Sequence, residues 1–463
     1  MTEPLRAALG ESPAWVVGGT VRDELLGRPV TDVDVAVAGD AEAAARALAA
    51  ELRGPVFRLS ERFGAWRALD RRHGVSYDLS SLQGESIEED LRRRDFSVNA
   101  MARPVAGGEL LDPEGGRRDL DARVLRVLSP EAYEADPLRT LRLARFAAEL
   151  GFAPDPETER ITRTAVPRVT EASAERIFGE LRRLVVAPGA VAGLELADRL
   201  GLLRAVLPEL DDLHDVDQSR YHHLDVYGHT IEVLARQIEL EGRLEDVFGE
   251  HAPALRAVLR EPLADDLDRG QAIRLGALLH DVGKPATRGV LPDGRVTFLG
   301  HDELGERMVR DICRRLRTSE RLSRFLEGLT RTHLVLGFLV HQRPLDRRAI
   351  YRYLTTTSPV EVEVTLLSCA DRLATRGRKA DEAIAAHLEL AADLMAIALE
   401  WRDQGPPPAP VRGNDLAREL GMRPGPELGR ILRRLEEAVF TGEASDRDQA
   451  VELARSLRQN PEQ

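Results

Sequence analysis

The sequence predicts an α+β protein: a mixed head over residues 1–125, followed by a chain that is helical to its end. Two patterns carry this. Short apolar runs at 14–17, 33–37 and 75–79 are separated by helical stretches such as 41–52. Beyond about Asp136 the strand signals fade, and Leu/Ala/Arg periodicity takes over through ADPLRTLRLARFAAELGF, ASAERIFGELRRLV and GLELADRLGLLRAVLPEL. At 463 residues the chain exceeds one ordinary core. The expected divisions are a head at 1–125, a helical neck at 126–212, a helical body at 213–400 and a helical tail at 401–463. The body collects most of the histidines, and the tail opens on the proline-rich break RDQGPPPAPVRG.

Composition narrows the class. With 43% hydrophobic and 31% charged residues the chain reads as a water-soluble globular protein, and only 4% aromatic content points to Leu/Ala/Val cores. No apolar run is long enough to span a bilayer. The opening MTEPLRAALGESP lacks the basic-then-apolar pattern of a signal peptide. Two cysteines, Cys313 and Cys369, cannot build a disulfide framework, so a reducing, cytoplasmic setting is expected. The net charge of -13 taken alone argues against a nucleic-acid partner. Arginines nevertheless cluster at 92–94, at 117 and 118, and at 139, 142 and 145, and an acidic protein can present a basic groove. Lysine occurs only at 284 and 379.

The head carries the densest chemistry. Asp32 and Asp34 lie two apart in a β-branched run, so in a strand both project to one face. Paired carboxylates suit hard cations such as Mg²⁺, and two such ions activate an attacking hydroxyl while neutralising a departing pyrophosphate. Asp78, in SYDLSS, is a candidate third carboxylate. Alone, a DxD is as well explained by solvated strand-end residues. The preceding Gly18–Gly19 pair shifts the balance, because a helix starting at Thr20 or Val21 offers free N–H groups to an anion, with Arg22 adding charge-assisted bonds. In LRRRDFSVNAMA, Arg94 is placed to reach a triphosphate, and Asp95 and Asn99 to hold ribose hydroxyls. The plainer reading of Asp95 as a helix N-cap explains neither Asn99 nor the arginines.

In ADPLRTLRLARF, Asp136 precedes Pro137, which suits an N-cap and a first helical residue. A second role is compatible with capping. A carboxylate accepts from the exocyclic amine of cytosine or adenine, while Arg139 donates to the adjacent ring acceptor. Uracil and guanine would present a carbonyl to the carboxylate and be rejected. Arg142 and Arg145 follow on adjacent turns and are candidates for the triphosphate or the primer backbone.

These segments resemble the class II tRNA nucleotidyltransferases (CCA-adding enzymes) and the related bacterial poly(A) polymerases. GGTVRDELLG with DVD resembles the catalytic motif, RRDFSVNAMA the ribose-selection motif and ADPLR the amino-acid template for the incoming base, with Ala135 where an acidic residue is usual. ASAERIFGEL resembles a later motif that orders the neck, through Arg176 and Glu180. The resemblance implies a polymerase-β-like head with helical neck, body and tail. It also implies Mg²⁺-dependent addition of C and A from CTP and ATP to the 3′ end of tRNA. One departure bears on the product. The connection DLSSLQGESIEEDLRRRDF is short, which resembles the branch adding CC alone.

The body holds YHHLDVYGHTIEVL, LGALLHDVGKPAT, LGHDELGERM and LSCADRLATR. His229, the pair His280–Asp281, and Asp371 resemble the ligand set of HD-domain phosphohydrolases, with His301 and His333 as further candidates for a second ion. Imidazoles with carboxylates hold a first-row divalent ion (nickel, manganese, iron or cobalt) or Mg²⁺, and leave room for water and phosphate. Lys284 is placed to meet a phosphate. A rival reading is a phosphohydrolase whose head has become an RNA-binding module. In the tail, GMRPGPELG opens a helix backed by Arg430, Arg433 and Arg434, which either contacts the tRNA arm or is a solvated packing helix.

Overall fold

The computed structural model describes residues 2–60, 64–218, 224–376 and 380–459. Lys379 lies outside them. The chain forms two compact units, residues 1–206 and 207–463.

The first unit is built on a six-stranded sheet of order β3-β4-β5-β2-β1-β6. Its strands are β1 (Ala14–Val17), β2 (Asp32–Val37), β3 (Val56–Ser60), β4 (Ala65–Asp70), β5 (Val75–Ser81) and β6 (Ala102–Pro104). β2 pairs with β5 in parallel and every other pairing is antiparallel. The three apolar runs read from sequence are β1, β2 and β5, the centre of the sheet. β3, β4 and β6 carry no such run: VFRLS and AWRALD interleave charge with apolar residues, and ARP is three residues long. Val33, Val35, Ala36 and Leu79 pack the interior, each at most 1% exposed.

Helix Ala41–Leu52 matches its expected bounds and is capped by the Asp40 carboxylate, which accepts from the Glu42 N–H at 2.9 Å. The helix after β1 runs Gly19–Leu25, one residue earlier than expected. Asp136 is not the N-cap expected of it. The following helix is Arg139–Leu150, and Asp136 with Pro137 forms a turn ahead of it. That helix buries Thr140, Leu141, Leu143, Ala144, Phe146 and Ala148 around most of its circumference.

The second unit is helical, with two short antiparallel pairs, 262–264 with 267–268 and 289–290 with 296–297. Its principal helices are Val226–Glu241, Arg269–Leu279, His301–Leu316, Glu320–Thr332, Glu361–Leu373 and Ala380–Gln404. After the proline-rich stretch, helices Gly413–Leu420, Pro426–Thr441 and Arg447–Gln459 enclose a small core of their own around Leu416, Leu428, Leu435 and Val451. Arg434 of the tail is tied to Glu443 at 2.7 Å. Among the described residues, no helix is long and apolar enough to cross a membrane.

Candidate active site and metal centre

The head site is fixed by one hydroxyl. Thr20 Oγ1 donates to the Asp32 carbonyl at 3.2 Å and accepts the Asp34 N–H at 2.8 Å, locking the first helical turn to β2. Gly18 adopts φ +65°, and a Cβ there would lie 2.6 Å from Arg94 Nη1 and 3.7 Å from Asp34 Oδ2. Only glycine suits both that conformation and that approach. Asp32 is exposed and accepts from the Ser76 hydroxyl. Burial pushes the Asp34 carboxyl up to about 6; Arg94 opposes this, while Asp78 and Asp32 add to it. Carboxylates drawn together on one strand face form a donor set that fits a hard divalent cation.

Asp78 stands opposite Asp34 in the parallel register. Arg67 takes up both of its oxygens, at 2.6 and 2.7 Å. Asp78 therefore adds charge beside Asp34 but does not stand as a free third ligand, a correction to the expectation.

A chain of side chains continues from the glycines. Arg22 Nη1 donates to Asn99 Oδ1 at 2.7 Å, Asn99 Nδ2 donates to Asp95 Oδ1 at 2.9 Å, and Arg142 pairs with Asp95 Oδ2 at 2.8 Å. Burial alone would raise Asp95, but Arg142, Arg139 and donors from Asn99 and the Phe96 N–H hold it down at about 2. Arg139 Nη1 donates to the carbonyls of Arg93 at 2.9 Å and Ala132 at 3.1 Å. Arg176 holds Asp136 Oδ2 at 2.6 Å.

A cavity of about 600 Å³ is lined by Gly18, Gly19, Asp32, Asp34, Arg94 and Arg139, among others. Among its described lining residues are Arg22, Asp95, Asn99, Arg142 and Arg145 as expected, Arg93, read from sequence only as part of a basic cluster, and Arg67 and Arg183, which sequence reading missed; Asp136 and Asp78 are not. Arg67 was invisible without β4, which sets it opposite Asp78. Arg145 also departs from expectation. It lines the cavity too, but it is 2% exposed and wedged between Glu180 at 2.5 Å and Glu149 at 2.8 Å, with its guanidinium 4.0 Å from the Phe146 ring centroid, so two carboxylates already take it up and tie it into the neck.

The short connection after β5 is pinned to helix Ile87–Arg92. The N–H of Gln83 donates to Asp90 Oδ1 at 3.0 Å, and the N–H of Glu85 to Glu89 at 3.0 Å. The other Asp90 oxygen accepts from Arg94 at 3.0 Å.

In the second unit, six residues from five helix ends converge, His280 and Asp281 sharing one. His229 Nε2 lies 3.0 Å from Asp371 and 3.8 Å from Asp281; His280 Nε2 lies 3.1 Å from Asp281; His301 Nε2 lies 3.4 Å from Asp281 and 3.3 Å from His333 Nε2. They form two donor groups, His229/His280/Asp371 and Asp281/His301/His333, each within 4.8 Å. The Nδ1 atoms of His280, His301 and His333 approach the carbonyls of Ala277, Phe298 and Thr330 at 2.7 to 2.8 Å. Such bonds place the proton on Nδ1 and turn the Nε2 lone pairs inward, the orientation that a metal-binding imidazole needs. Burial, with His280 and His301 adding to it, lowers His333 to about 4, so it stays neutral and available as a ligand. Asp281 lies well below the usual carboxylate range: burial opposes this, but His280 and Lys284 outweigh it. This donor set fits one or two divalent ions. Lys284 Nζ lies 2.6 Å from Asp281 and donates to Gln218 Oε1 at 2.7 Å.

A DxD strand beside a glycine-opened helix and an arginine-lined cavity define a nucleotidyltransferase head, and the His/Asp centre defines an HD domain. Residues 14–126 match the poly A polymerase head domain, 151–213 the probable RNA and SrmB-binding site of polymerase A, and 226–376 the HD domain. The chain is 36% identical to the A-adding tRNA nucleotidyltransferase of Deinococcus radiodurans, covering 94% of each chain. It is 34% identical to the CC-adding tRNA nucleotidyltransferase of Thermus thermophilus, over 94% of this chain and 92% of that one. The fold is similar to that of the Thermotoga maritima CCA-adding enzyme complexed with tRNA, at TM-score 0.60 and 20% identity, covering 98% of this chain and 93% of that one. The chain belongs to the family of tRNA nucleotidyltransferases and poly(A) polymerases.

Proposed function

We propose that this protein adds C and A nucleotides to the 3′ end of tRNA from CTP and ATP without a nucleic-acid template. The observation that carries the reading is the pair Asp32 and Asp34, presented by β2 beside the Gly18–Gly19 turn in an arginine-lined cavity. Asp32 and Asp34 would hold Mg²⁺, which, when bound, acidifies the attacking 3′ hydroxyl and neutralises the pyrophosphate. The backbone N–H groups after Gly18, with Arg22 and Arg94, hold the triphosphate. Asp95 and Asn99 hold the ribose, while Arg142 anchors Asp95. Asp136 and Arg139 read the base: a carboxylate has lone pairs to spare, so Asp136 keeps Arg176 on Oδ2 and the Leu138 N–H on Oδ1, and offers a remaining Oδ1 lone pair to an exocyclic amine.

The second centre is proposed to hydrolyse phosphate esters, using a first-row transition metal or Mg²⁺ held by His229, His280, Asp281, His301, His333 and Asp371. Two buried free thiols, Cys313 and Cys369, support a reducing, cytoplasmic setting.

A second reading, addition of only part of CCA, is favoured by the short, pinned connection after β5 and by the relatives that add CC alone or A alone. The test is to incubate the protein and Mg²⁺ with tRNAs ending before CCA, after C and after CC, supply CTP and ATP singly and together, and sequence the ends. Growth to CCA from the first substrate supports the main reading; a stop at CC, or growth only from CC, selects the partial one. No growth at all refutes both and leaves a hydrolase with an RNA-binding head.

A further inference from the structure

Phe146, on helix Arg139–Leu150, is 3% exposed and reaches the wall of the head cavity. By burial alone it is a core residue, and a leucine would suit such a position nearly as well. Its surroundings are not those of a core residue. The guanidinium carbons of Arg22, Arg142 and Arg145 lie 5.1, 5.4 and 4.0 Å from its ring centroid. Each is within the roughly 6 Å at which the negative face of an aromatic ring attracts a cation, and the attraction grows where water is scarce. The Phe96 ring lies 5.7 Å away at 88°, an edge-to-face contact. Three like charges gathered round one side chain repel one another. Acidic partners offset part of this: Asp23 takes Arg22 at 2.7 Å, Asp95 takes Arg142 at 2.8 Å, and Glu180 and Glu149 take Arg145. These pairs are separate from one another, whereas the Phe146 ring is common to all three arginines.

We propose that Phe146 is a positioning residue of the nucleotide site: its ring holds Arg22 and Arg142 in register, and so sets the triphosphate contact and the ribose contacts relative to each other. The proposal rests on the reading of Arg22, Asp95 and Asn99 as nucleotide contacts and adds what aligns them. The route from ring to nucleotide is short. Arg22 donates to Asn99 and Arg142 pairs with Asp95, the two residues proposed to hold the ribose hydroxyls. Phe96, packed against the same ring, donates its N–H to Asp95 Oδ1 at 2.8 Å. A shift of the ring therefore displaces the ribose contacts and a triphosphate contact together. A leucine in its place would still be buried but would not attract the cations, and the guanidiniums would spread under their own repulsion.

The test uses the full-length protein with Mg²⁺ and without tRNA, so that calorimetry reads the binding of CTP, ATP, dCTP and dATP with no turnover. The variants are Phe146→Leu and proteins with 4-fluoro-, 3,5-difluoro- or 3,4,5-trifluorophenylalanine in place of Phe146 alone. Fluorine draws electron density from the ring face while scarcely changing its size, so a ring that only packs would be indifferent to it. Affinity for CTP or ATP, whichever the wild type binds more tightly, is expected to fall stepwise along the fluorinated series, by about fivefold at its end, and by about tenfold in Phe146→Leu. The preference for the ribose over the deoxyribose form is expected to fall about threefold with it. In addition assays the loss should appear chiefly in KM. Melting curves report the fold, and the fluorinated series answers the question even where Phe146→Leu does not fold. Equal affinity along that series overturns the proposal and leaves Phe146 a packing residue, whatever Phe146→Leu does. A stepwise loss of affinity with an unchanged ribose preference also overturns it, because the two sets of contacts would then be independent. If the wild type binds neither CTP nor ATP, or binds the ribose and deoxyribose forms equally, the underlying reading of the head fails and the proposal falls with it.

Discussion

Arg176 grips Asp136 at 2.6 Å across forty residues of sequence, linking the neck motif ASAERIFGEL to the residue proposed to read the incoming base. The bond fixes one carboxylate oxygen and thereby sets where the other points. Arg176→Ala should therefore loosen base choice without touching the metal site. Incorporation of C and A over U and G, measured with single nucleotides, should fall by roughly threefold, and Asp136→Ala should cost more, at about 1–3 kcal/mol of discrimination for a bidentate base contact. Unchanged selectivity in both variants would remove Asp136 from the base site.

The two centres belong to separately compact units, so their losses should be independent. Asp34→Ala should abolish nucleotide addition and spare ester hydrolysis, and Asp281→Ala should do the reverse. Loss of both activities from one change, with an intact melting curve, would overturn the two-centre picture.

Asp34 gives the head a pH signature. Its folded carboxyl is raised to about 6 from an ordinary 3.8. In the metal-free protein this group therefore favours the folded state at low pH, and that contribution is lost as pH rises through about 6. Magnesium competes with the same proton, so the Mg²⁺ concentration giving half-maximal addition should rise as pH falls from 7 towards 5. Asp95 has the opposite sign: its contribution is present above its ordinary 3.8 and is lost as pH falls towards about 2. A Mg²⁺ requirement that is flat between pH 7 and 5 would contradict the assignment of Asp34 as a ligand.

Arg145→Met should destabilise the first unit by about 3 kcal/mol, because Glu180 and Glu149 would lose a shared buried cation. At about 2–4 °C per kcal/mol this lowers Tm by roughly 6–12 °C. Nucleotide affinity at permissive temperature should be nearly unchanged, which separates a brace from a phosphate contact.

Binding of Mn²⁺ or Ni²⁺ at the six-residue centre should raise the melting temperature, since only the folded chain assembles those donors. Chelation should reverse the gain, and His301→Ala should reduce it. A melting curve indifferent to metal would argue against the centre.

How far these sites could be read in the sequence depended on distance along the chain. Asp32, Asp34 and the glycine pair were legible because strand alternation and a turn are local properties. The HD ligands were legible only through resemblance; nothing local brings His229 to Asp371. The roles of Asp78 and Arg145 were not legible. Both depend on partners from other elements, Arg67 on a charge-interrupted strand and Glu180 on a helix thirty-five residues away. Arg145 shares its spacing with Arg139 and Arg142 and lines the same cavity, and only its two carboxylate partners from the neck mark it as a brace.

Asp90 holds the turn at Gln83 with one oxygen and Arg94 with the other. A lineage that lengthened this turn by insertion would unfasten the first bond and disturb the aim of the guanidinium at the second. Loop length and the triphosphate grip proposed for Arg94 are thus coupled, and a graft of a longer segment would have to bring its own replacement for Asp90.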